Sequence, residues 1–144
     1  MKTEWPIVSV RTSDGYKLHG IYSRTSEGKN AILHIHGTGG NLYWNEFYRE
    51  ISRSVNAAEF AYLTTNNRGS GVYELENGMP PSGISLEIFE DCLKDIDAWI
   101  ELLQSKGLTS IILEGHSFGI GKISYYMAKG KYRDIIRGII FLAT

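Results

Sequence analysis

Gly115-His116-Ser117-Phe118-Gly119 follows the apolar run Ile111-Ile112-Leu113-Glu114 and opens a helix-compatible stretch. A serine held between two glycines at such a place sits where a strand turns sharply into a helix, the G-x-S-x-G elbow. The turn strains the serine's backbone and brings strand and helix so close that a side chain at either glycine would collide. The pentapeptide alone is a weak signal. Its surroundings strengthen it, because the elbow needs a strand before it, a helix after it and a glycine-rich loop following an earlier strand, and all three are present.

The order of the other segments sets the architecture. Ile7 to Arg11 and Leu18 to Ser23 alternate polar and apolar residues around Asp14-Gly15, an antiparallel hairpin. Ala31 to His36 is a short apolar run suited to a buried third strand. Tyr43 to Val55 spaces Trp44, Phe47, Tyr48 and Ile51 three or four apart and predicts a helix, and Phe60 to Thr65 predicts strand four. The loop over 66–82, with Arg68-Gly69-Ser70-Gly71 and Pro80-Pro81, has a length usually associated with function or mobility. Arg68 suits an ion pair that holds this loop, or else a substrate carboxylate.

Ile84 to Leu103 carries the clearest helical period, with Phe89, Cys92, Leu93, Ile96, Trp99, Ile100 and Leu103 on one face. Glu90, Asp91, Lys94, Asp95, Asp97 and Glu101 lie on the other, expected to be solvated. Lys106-Gly107 ends that helix, Ser110 to Glu114 is strand five, Phe118 to Lys129 a helix and Gly138 to Thr144 strand six. A hairpin followed by alternating strands and helices makes a doubly wound α/β class with a mostly parallel sheet, in one domain over 1–144. Ligands of such sheets sit at the carboxyl ends of the strands. Both glycine-rich loops, after strands three and five, lie at that edge.

Charge narrows the partners. Lys and Arg number 15 against 16 Asp and Glu, so no electrostatic case exists for nucleic acid or an anionic membrane. A small-molecule substrate is the expected partner. No stretch approaches the roughly 20 apolar residues of a membrane span, and Met1 to Pro6 opens no secretory apolar segment, so a cytoplasmic location is expected. Cys92, the only cysteine, reads as a buried structural thiol. His34 and His36 share one face of a strand but have no apparent third ligand, so they read as hydrogen-bonded structural residues and no metal is expected. His116 reads as buried against neighbouring strands or lining the substrate site, and His19 as solvent-facing. No cofactor is expected either. A phosphate loop would need glycine where His116 stands and a hydroxyl where Ile123 stands, and Leu42 spoils a dinucleotide fingerprint beginning at Gly37.

Acyl transfer needs a nucleophile and donors aimed at the oxygen that becomes negative. Ser117 supplies the first. Backbone amides supply the second: one from Phe118, the residue after the serine, and one from the loop His36-Gly37-Thr38-Gly39-Gly40, where Thr38 is the best candidate. Gly37, Gly39 and His116 complete the substrate-contacting set.

These residues resemble the α/β-hydrolase superfamily along nearly the whole chain. His36 to Gly40 is similar to its oxyanion loop, Asn67-Arg68-Gly69-Ser70-Gly71 to its segment after strand four, and Gly115 to Gly119 to its elbow. The resemblance implies a sheet order 1-2-4-3-5-6 with strand two antiparallel, and hydrolysis of an ester, lipid or amide. A narrower resemblance, to bacterial hydrolases related to fungal siderophore esterases, rests on Gly37-Thr38-Gly39-Gly40-Asn41 and the acidic helix before strand five.

One departure is large. The family places an acid and then a histidine after the serine, whereas here Asp134 is the only acidic residue beyond Ser117 and no histidine follows. Asp134 precedes strand six, at the opposite edge of the sheet from the elbow, and does not take the acid's role. The chain therefore reads as the first part of a longer hydrolase, lacking base and acid. The alternative is a non-catalytic chain that binds a ligand or pairs with another polypeptide. On either reading the apolar strand Ile139-Ile140-Phe141-Leu142 offers an open edge, with self-association through it, as a homodimer or by aggregation, expected.

Overall fold

Alternation produces the first two strands as expected: β1 (Ile7–Arg11) and β2 (Lys17–Ser23) pair antiparallel, and Gly15 supplies the positive φ of their turn. The computed structural model describes residues 7–44 and 46–142. The apolar runs become β3 (Asn30–Ile35) and β4 (Ala61–Thr65), then β5 (Ser110–His116) and β6 (Ile136–Leu142). Three helices connect them: α1 (Phe47–Ala57), α2 (Cys92–Ser105) and α3 (Phe118–Lys129). The six strands lie in the order β1-β2-β4-β3-β5-β6, with β2 antiparallel to both neighbours and β4, β3, β5 and β6 mutually parallel. This is the expected doubly wound α/β sheet.

Period-two alternation divides the sheet into two unlike faces. On one, Leu18, Tyr22, Leu33, Ile35, Leu63, Ile111 and Leu113 join Ile96, Trp99, Ile100 and Leu103 of α2 and Ile123 and Tyr126 of α3 in the main core. Gly20 makes room for it, since a β-carbon there would meet the Trp99 ring at 3.1 Å. The α1 face is more polar. There His34 Nδ1 donates to Glu114 Oε1 at 2.6 Å, the Tyr62 hydroxyl donates to the same oxygen at 2.9 Å, and the His34 ring packs 4.4 Å from that of Tyr48.

Three sequence expectations need correction. The first helix starts at Phe47, not Tyr43, because Asn41 Oδ1 accepts from the amides of Tyr43 and Trp44 and holds them in a turn. Trp44 is exposed, Tyr48 of the expected face is buried, and Ser52 joins it; Asn45, inside the expected span, lies outside the described residues. The second helix starts at Cys92 rather than Ile84. The amides of Gly83, Ile84 and Ser85 donate to Arg68, Gly71 and Val72, so they complete the long loop. The last strand begins at Ile136, two residues early; Ala143 and Thr144 lie outside the described residues.

The expected solvated face of α2 is also wrong in part. Asp95 is fully buried and accepts from the Arg68 side chain at 2.7 and 2.9 Å and from its backbone amide at 2.9 Å. Arg68, only 4% exposed, also donates to Asp14 in the β1–β2 turn and lies 3.3 Å from Asp91. One guanidinium thus ties hairpin, long loop and α2 together, which settles its role as an ion pair.

Burial alone would raise the Asp14 carboxyl, but hydrogen bonds from Arg68, Thr12 and Lys94 outweigh it and hold the group well below the ordinary value of 3.8. A depressed folded pKa adds stability in full above the unfolded value, and that stability is lost as pH falls toward the folded one. The stability gap between the native chain and Asp14→Asn is therefore expected to be widest at neutral pH and to shrink below about pH 4, as urea melts across a pH series would show.

Candidate active site

β5 runs into α3 without a loop, and Ser117 is the hinge. Its backbone adopts φ 53° and ψ −124°, in the region L-residues rarely occupy. Close packing holds it there. A β-carbon on Gly119 would stand 2.2 Å from the Ile35 carbonyl oxygen, and one on Gly37 would stand 2.8 Å from Ser117 Cβ. The elbow and the loop after β3 therefore touch only because glycines occupy the contact.

The loop after β3 is fixed by its own bonds. The Gly40 amide donates to the Gly37 carbonyl at 3.2 Å, and Gly39 bridges to Ser70. His36, fully buried, donates from Nδ1 to the Gly37 carbonyl at 2.7 Å, which leaves Nε2 to accept the Asn67 amide at 3.0 Å. Burial lowers the His36 pKa to about 3, despite the opposing bond to Gly37, so the ring is neutral. Its place is structural, as expected. It links this loop to the one after β4.

Thr38 is exposed beside Gly37, and Phe118 is the first residue of α3. Neither amide donates to a protein acceptor among the described residues. First-turn amides of a helix lack intrahelical partners and carry its positive end. The structure thus brings Gly37, Ser117 and Gly119 together, with Thr38 and Phe118 adjacent in sequence to those contacts. Gly39 turns toward Gly71 and Ile84. His116 is half-buried, less than expected, and its ring lies 5.5 Å from that of Phe47.

No family model and no curated protein matches the sequence. Solved structures do. An esterase from Pyrococcus furiosus superposes with a TM-score of 0.74 at 17% identity, over 97% of this chain and 51% of its own. An epoxide hydrolase from Vigna radiata gives 0.70 at 19%, over 96% and 40%, and a monoglyceride lipase from Saccharomyces cerevisiae 0.69 at 22%, over 97% and 44%. The chain has the α/β-hydrolase fold. It spans about half the length of these structures, or less.

Within this α/β-hydrolase fold, none of the four histidines bonds to Ser117, whose hydroxyl has no hydrogen-bond partner among the described residues. His34 is committed to Glu114 and His36 to Gly37 and Asn67. His19, part-exposed in β2, lies 4.0 Å from Glu76, and His116 stacks toward α1. Cys92 is buried, and burial pushes its thiol up to about 12, which keeps it protonated near neutral pH. No helix among the described residues is long and apolar enough to cross a membrane, and they contain no group of three or more His, Cys, Asp and Glu able to hold a metal.

Sequence reasoning missed Glu87 and Lys122. Their side chains are both buried, and Lys122 Nζ bonds to Glu87 Oε1 between α3 and the long loop. A signal existed: Gly119, Lys122, Ile123 and Tyr126 share the buried stripe of α3, so the lysine falls on an apolar face.

Proposed function

We propose that these residues form the nucleophile and oxyanion portion of a cytoplasmic serine hydrolase acting on a carboxylic ester or related acyl substrate. Ser117 attacks the acyl carbon, and the amides of Thr38 and Phe118 receive the oxygen that becomes negative. The observation that carries the reading is the strained backbone of Ser117 at the head of α3, against Gly37. Strain of that kind persists where the surroundings over-determine it, commonly at reactive residues. On this reading the base and acid come from outside these residues, since none of the four histidines bonds to the Ser117 hydroxyl.

Covalent labelling tests the assignment. A polypeptide joining these residues to a histidine base is treated with a fluorophosphonate and mapped by peptide mass. The label is expected on Ser117 and absent from Ser117→Ala; modification at another residue, or none, would overturn the reading.

The edge of β6 carries a second part of the proposal. Among the described residues β6 pairs only with β5, and Ile139 and Phe141 are 44% and 52% exposed. Bare apolar edges recruit strands. Two copies joined edge to edge are therefore expected at high micromolar concentration, with Ile140→Lys weakening the dimer in sedimentation. A monomer at those concentrations would count against it.

A further inference from the structure

A lysine one turn into α3 has no reason to be there from helix stability. Cations near a helix N-terminus oppose the macrodipole, and a buried charge needs a partner held in place. Lys122 is 1% exposed, and its ammonium bonds to the carboxylate of Glu87, itself 2% exposed. Residue 122 stands four after Phe118, and helical side chains lean toward the N-terminus, which lays Lys122 Nζ 5.4 Å from the centre of the Phe118 ring. Glu87 is equally constrained. Its carboxylate fills the space where a β-carbon on Gly69 would be, at 2.3 to 2.6 Å, beside the Arg68 anchor. Phe89, two residues on, lies with its ring 5.5 Å from Phe118 and 5.4 Å from Tyr125.

We propose that Lys122 and Glu87 are positioning residues: their ion pair, with the Phe118 ring under the ammonium, fixes the first turn of α3 against the long loop and so holds the Phe118 amide in place. This rests on reading that amide as an oxyanion donor. The pair touches no reacting atom and acts through Phe118. It couples the long loop, anchored by Arg68, to the elbow.

Amide hydrogen exchange on the full chain tests it without requiring turnover. The Ile120 amide donates to the Ser117 carbonyl at 2.9 Å and reports closure of the first turn. Amides of β3 and β5 report global opening. In Lys122→Met, and in Lys122→Met/Glu87→Gln, Ile120 is expected to lose about tenfold in protection relative to β3 and β5, a local opening. The double variant leaves no charge buried without a partner, so it decides the matter if the single variant fails to fold. Native-like Ile120 protection in the double variant would overturn the proposal, and so would loss of its cooperative fold, which would make the pair a folding element. Ser117→Ala should leave Ile120 unchanged. Failure of fluorophosphonate to label Ser117 would remove the catalytic reading while leaving the exchange result standing.

Discussion

Hydrolysis of p-nitrophenyl acetate by this chain alone is expected to run at the rate of the buffer blank. A serine hydroxyl without a base is a neutral alcohol of negligible nucleophilicity, and in subtilisin loss of the histidine alone costs about 2 × 10⁶ in kcat. The four histidines here offer no substitute. His36 is neutral, but its Nε2 already accepts the Asn67 amide. His34 is buried against Glu114 on the α1 face. Joined to a segment that places a histidine at Ser117, the same residues should gain a rate of that order, and Ser117→Ala should remove it. Turnover by the isolated chain at a rate ordinary for esterases, lost in Ser117→Ala, would show that one of its own groups serves as base.

The largest expected effect on stability lies at Arg68. Burial opposes its charge, but the carboxylates of Asp14 and Asp95 outweigh that and keep the guanidinium more firmly charged than usual. Arg68→Met keeps much of the stem and removes the charge. Asp95, fully buried, would then be left without the cation that bonds it, and Asp14 in the β1–β2 turn would lose its bonds to Arg68 while keeping that to Lys94 of α2. Breaking one partner of a buried pair typically costs about 3–5 kcal/mol. Urea unfolding of Arg68→Met should show a loss of that size, and a combined Arg68→Met/Asp95→Leu should recover part of it, because replacing both charges removes the uncompensated one. A loss within about 0.5 kcal/mol, the range of ordinary surface changes, would mean that the guanidinium holds nothing.

The sheet was legible because its signals are local. Strand alternation in Ile7 to Arg11 and Leu18 to Ser23, and the apolar runs of β3, β4 and β5, need only neighbours in sequence to be read. The elbow was legible for the same reason, since Gly115, Ser117 and Gly119 bear the steric demand themselves. What escaped depends on partners far along the chain. Ile84 and Ile88 have helical spacing, yet Ile84 and Ser85 spend their amides on the loop at Gly71 and Val72. Asp95 falls on a stripe of charged residues, and only the fold brings Arg68 over it. Lys122 and Glu87 stand apart in sequence and meet only when the long loop closes on α3. Trp44 shows the reverse case: its spacing suggested a buried helix face, and a single side chain, Asn41, turned the backbone away from the helix.

The oxyanion assignment is tested most directly by the crystal structure of a phosphonate adduct on Ser117, in a polypeptide joining these residues to a histidine base. One phosphonyl oxygen is expected to lie about 2.7–3.1 Å from the amide nitrogens of both Thr38 and Phe118. An adduct whose oxygens point to solvent, with those amides turned apart, would contradict it.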